Sequence, residues 1–128
     1  MLVQWKIKGS MVTTGIGVDP TAVVTLVKFV DGCEAGEYSQ SKTGNGPINA
    51  ACKAIEAITQ VSLNVTFEIY AMTSGSNSEA KIVAKATQGN RIIPCEVRGG
   101  DIVMCAVEAY MQVLNVALEP EKVIAEVR

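Results

Sequence analysis

The chain runs through the same pattern twice. Three stretches with strand character precede one with helical character, and the order then starts again; Gly46 to Ile55 lies over Gly100 to Ala109. A three-stranded sheet and one helix cannot bury their apolar faces alone, so the halves must pair. The predicted fold is therefore α+β: two βββα repeats related by a pseudo-twofold, each a three-stranded sheet with one helix. The 128 residues suit one domain. Repeat one covers about 2–60, repeat two about 61–118, and a tail follows over 119–128.

The elements follow from periodicity. Val3, Trp5 and Ile7 alternate with Gln4, Lys6 and Lys8 and predict a half-buried strand. Gly9 to Asp19, with three glycines, is expected to be irregular or a twisted second half of that strand. Ala22 to Val30 predicts a central strand, Asp31-Gly32 a hairpin turn and Cys33 to Tyr38 the returning strand. Pro47 suits the first position of a helix, and Ile48, Ala51, Cys52, Ile55 and Ile58 form its apolar stripe. In the second half, Leu63 to Ala71 and Glu79 to Thr87 alternate as strands, with Thr73 to Ser78 as a loop between them. Gly89-Asn90 turns the chain and Arg91 to Arg98 returns, with Pro94 marking an edge or a bulge. Asp101 then opens a helix with Ile102, Ala106, Ala109 and Val113 on one stripe, ending near Asn115.

Composition narrows the chemistry. The chain holds no histidine, the commonest general base and metal ligand. Its net charge is −2, so it carries no electrostatic footprint for nucleic acid. No apolar run reaches the roughly 20 residues of a membrane span. Cys33, Cys52, Cys95 and Cys105 form no Cys-x-x-Cys pair, which argues against zinc; they are expected to be reduced thiols packed in the core of a cytoplasmic protein. The acids Glu34, Glu37, Glu56, Glu68, Glu79, Glu96 and Glu108 fall mostly on solvated faces, and none forms a convincing pair. Asp101 is better explained as a helix start than as a catalytic acid.

One stretch stands out, TGNGPINAACKAI, Thr43 to Ile55. Two glycines lead straight into a helix. A P-loop would need Lys and a hydroxyl after Gly46, and a dinucleotide fingerprint would need a third glycine where Asn49 stands. Neither cofactor motif is present. Gly44 and Gly46 could serve only to turn the chain. Alternatively the bare N–H groups of Ile48 and Asn49 make a seat for a carboxylate. Asn45 and Asn49 would add amides, and Ile48, Phe67 and Ala71 an apolar wall. Lys42, beside the loop, could steer an anion or could be plain surface.

These residues, with GGDIVMCAVEAYMQVLN in the second half, resemble the C-terminal regulatory domain of the isopropylmalate synthase and citramalate synthase family. The shared motifs are Gly44 to Ala50, Asp101-Ile102-Val103, Ala109-Tyr110 and Leu114-Asn115, and the likeness runs from about Leu2 to Leu118. The resemblance implies a homodimeric domain that binds the end product, leucine or isoleucine, near the dimer interface and slows a distant catalytic barrel. It implies ligand contacts at Gly44, Asn45, Gly46, Pro47 and Ile48, at Phe67 and Ala71, and at Ser74, Ser78 and Ala80. The family often has Gly-x-Asp-Ala where this chain has Gly75-Ser76-Asn77-Ser78. The acetyl-CoA-dependent barrel is absent from this chain, which is expected to be non-catalytic, either an excised piece or a free-standing regulator. The competing reading is a dimerisation module without a ligand.

Overall fold

The computed structural model describes residues 1–71 and 79–119. Two antiparallel three-stranded sheets are each followed by a helix. Strands β1 (Val3–Gly15), β2 (Val18–Val30) and β3 (Cys33–Thr43) form the first sheet, and α1 (Pro47–Thr59) follows. Strands β4 (Asn64–Ala71), β5 (Ala80–Gln88) and β6 (Arg91–Gly99) form the second, and α2 (Ile102–Leu118) follows. The order is β1-β2-β3 and β4-β5-β6, so the middle strand of each sheet is central. The predicted duplication is present, as is the α+β class.

The strand lengths differ from the periodicity reading in an instructive way. Gly9 to Asp19 is not irregular; the other expectation, a second half of the first strand, holds. It is the second half of β1, a two-residue turn at Ile16-Gly17 and the start of β2. Pairing slips between Ile7 and Gly9, leaving Lys8 as a bulge; this resets the alternation, so a period-two reading loses the strand there. The third strand continues past Tyr38 to Thr43, although every residue in it is exposed. An edge strand without an apolar face gives no hydrophobic signal; its pairing with β2 defines it. Asp31 and Gly32 both take positive φ, 50° and 84°, as a type I′ hairpin turn requires. Pro94 lies on edge strand β6, whose register with β5 is unbroken.

The core explains how the halves join. Ala22, Val24 and Leu26 of β2 are fully buried, while Val23 between them is 39% exposed. They pack with Trp5, with Ala50, Ala51, Ala54 and Ile55 of α1, and with Val107, Tyr110, Met111 and Leu114 of α2. Cys105, Ala106 and Ala109 of α2 pack instead on Ile82, Ala84 and Val97 of the second sheet. Helix α2 is thus apolar around most of its girth and touches both sheets. It also runs three residues beyond Asn115, and Ile102, placed on its predicted stripe, is exposed. Only Cys105 is fully buried among the thiols; Cys52 and Cys95 are half-buried. Cys33 is exposed on edge strand β3, which corrects the expectation of four core thiols.

Asn115 ties the repeats together. Its Oδ1 accepts from the Trp5 N–H at 2.8 Å and its Nδ2 donates to the Trp5 carbonyl at 2.8 Å. The side-chain amide therefore mimics a neighbouring strand along the β1 edge. The Gln4 Nε2 donates to the Asn115 carbonyl at 3.0 Å. This gives a physical reason for the Leu-Asn ending noticed in the sequence.

Candidate functional site

Helix α1 packs on the first sheet and on α2 but makes no close backbone approach to β4 among the described residues. A cavity of about 620 Å³ opens in that gap. The mouth of α1 supplies Asn45, Gly46, Pro47, Ile48 and Asn49; the next turns supply Cys52, Lys53 and Glu56. Leu63, Val65 and Phe67 form the facing wall, and Tyr110 of α2 reaches it from behind.

The two helix mouths are built differently. At α2 the Asp101 carboxylate accepts from the Met104 N–H at 3.0 Å, a regular side-chain cap. At α1 the capping position is Gly46, and no side chain caps the helix. Pro47 has no N–H to offer, and Ile48 and Asn49 belong to the first turn, whose donors have no intrahelical partner. The free donors and the positive end of the helix dipole therefore meet at the cavity.

The glycines divide by cause. A Cβ on Gly44 would lie 2.5 Å from Asn49 Oδ1 and 2.6 Å from the Ala50 nitrogen. Glycine there permits the loop to cross tightly against the helix, and the Asn45 N–H donates to Asn49 Oδ1 at 3.1 Å to hold it. Gly46 needs no such explanation. Its φ of −169° is ordinary extended backbone, and a Cβ would meet nothing within 4 Å. Nothing in its own chain requires a bare backbone at Gly46.

Of the residues proposed from sequence, the cavity brings together Asn45, Gly46, Pro47, Ile48 and Phe67. Gly44 lies behind the mouth. Ala71 and Ala80 pair with each other at the far end of β4 and β5, away from the cavity lining. Ser74 and Ser78 lie outside the described residues. Lys42 belongs to a neighbouring groove that shares Lys53 and Glu56 with the cavity. The sequence reading left Cys52, Lys53 and Glu56 out of the site, although with Asn49 they repeat at helical spacing. Cys52 falls on the apolar stripe of the helix, and Glu56 reads as one of the acids on a solvated face.

Burial pushes the Cys52 thiol from 9.0 up to about 12, with the Glu56 charge adding to it. Burial, then Cys52 and Glu56, also push Tyr110 up. Both groups are uncharged at neutral pH. No group of three or more Cys, Asp or Glu residues among those described could hold a metal ion. No described helix is long and apolar enough to cross a membrane.

A family model described as the LeuA allosteric (dimerisation) domain matches residues 3–118, which span both repeats and both helices. The chain belongs to this family. It is 29% identical over 119 residues to 2-isopropylmalate synthase of Synechococcus sp. (strain RCC307), covering 92% of this chain and 21% of that protein. It is 31% identical over 101 residues to 2-isopropylmalate synthase of Nitrosococcus oceani, covering 78% of the chain and 19% of the relative. A Methanothermobacter thermautotrophicus protein assigned as an (R)-citramalate synthase is 33% identical over 114 residues, with 87% and 22% covered. This LeuA-type domain thus spans about a fifth of the length of the curated relatives it matches.

Proposed function

We propose that this LeuA-type domain is an effector sensor, binding leucine, or isoleucine in a citramalate-type system, for feedback inhibition of branched-chain amino-acid synthesis. The observation that carries the reading is Gly46. It is an unstrained glycine, with open space in front of it, at an uncapped helix mouth beside a partly apolar cavity. The effector carboxylate sits on the Ile48 and Asn49 N–H groups, and its aliphatic branch lies against Val65 and Phe67. Binding favours one arrangement of the assembly over another and biases a catalytic barrel elsewhere in a cytoplasmic synthase.

The second part of the proposal is a homodimer. Ile69 lies opposite Ile82 on the core-facing side of β4, yet it is 50% exposed. A second copy seated on this side covers that row and narrows the open cavity. Melting with leucine, isoleucine and valine tests the sensor. An effector at a hundred times its dissociation constant adds about 2.7 kcal/mol of stability. No rise with any of the three at millimolar concentration counts against the sensor. A tight dimer by sedimentation in that case leaves the ligand-free dimerisation module standing.

A further inference from the structure

Resting on the sensor reading, the cavity wall also contains a length gauge. Asn49, Cys52, Lys53 and Glu56 follow one another up the cavity side of α1. One helical turn rises about 5.4 Å, which separates the donors at the mouth from the Cys52 level and that level from Glu56. The wall changes character with each turn. The first level is a polar seat. The second is a half-buried, protonated thiol, which acts as a small apolar surface. Lys53 stands only one residue, about 1.5 Å, above that level, and the third level carries Glu56. An extended leucine reaches about 5 Å from its carboxyl carbon to its methyls, given C–C bonds of roughly 1.5 Å. Its branch therefore ends at the second level. An unbranched chain one atom longer reaches about 6 Å, past Cys52 towards Lys53, and desolvates that charge without pairing it.

We propose that Cys52 is the specificity-determining residue of this cavity, setting the length of aliphatic side chain that an α-amino acid can carry and still bind. Calorimetric titration of the 128-residue chain with valine, leucine, norleucine and methionine tests this directly. Wild type should prefer leucine. Cys52→Ala opens the second level, and norleucine and methionine should gain about tenfold relative to leucine, the scale of one methylene in an apolar pocket. Cys52→Leu fills that level; leucine should weaken about tenfold and valine less. Fluorescence of Trp5, the sole tryptophan, checks that each variant is folded. Folded variants that keep the wild-type rank order overturn the gauge. Wild-type protein that binds neither these four probes nor isoleucine overturns the sensor reading instead, so the two failures are distinguishable.

Discussion

Replacing Asn115 should loosen the joint between the repeats without touching the cavity. Asn115→Ala removes two hydrogen bonds of 2.8 Å to the main chain of Trp5, a residue only 7% exposed. Both Trp5 peptide groups then lose their partner in a place that water reaches poorly. Each unsatisfied group costs about 1–3 kcal/mol, so the pair amounts to about 2–4 kcal/mol after partial rehydration. That is a large fraction of the roughly 5–15 kcal/mol of an ordinary domain. The matching fall in melting temperature is roughly 10 °C. Urea titration followed by Trp5 fluorescence measures it, at one fixed protomer concentration because folding and association are linked. Gln4→Ala is the control. It removes only the bond to the Asn115 carbonyl and should cost about 1 kcal/mol or less. A loss below about 0.5 kcal/mol for Asn115→Ala, at unchanged denaturant slope, would refute the idea that this amide acts as a surrogate strand.

Four further outcomes follow from the same geometry. Gly44→Ala drives a Cβ into Asn49 and the Ala50 main chain and should cost about 2 kcal/mol or more, read by chemical denaturation. Gly46→Ala meets open space and should change stability by about 1 kcal/mol at most, yet abolish the leucine-dependent rise in melting temperature. A full rise in that variant removes the seat from this mouth. The Cys52 thiol is held protonated in the fold, so the unfolded chain releases its proton first as pH rises. Its contribution is complete below about 9 and is lost towards 12, and Cys52→Ala should show a shallower alkaline loss of stability than wild type. Finally, a thiol reagent applied to native protein should label Cys33 first and Cys105 last, followed by mass spectrometry; the reverse order contradicts the packing.

The repeat, the hairpin at Asp31-Gly32, both helix starts and the central strands were legible because local physics decides them. Proline at a first helical position, aspartate at a cap and alternation on a half-buried strand need no distant partner. Strand β3 and the second half of β1 were harder. One has no apolar face, and the other shifts its phase at Lys8. The site was half legible for a related reason. Asn45 to Ile48 announce themselves as a glycine-flanked helix mouth, whereas Cys52, Lys53 and Glu56 matter only because β4 stands away from α1.

By itself, the order of residues determined the duplicated βββα plan, the absence of histidine chemistry and the bare backbone before α1. These depend on neighbours within a few positions or on composition. Only the tertiary structure decided which glycine is structural and which is open, because that depends on what lies in front of each Cβ. It also decided that α2 rather than α1 bridges the two sheets, and that the side chain of Asn115 stands in for a strand. The Asn115 bonds join residues 110 positions apart, a separation over which no local periodicity carries a signal.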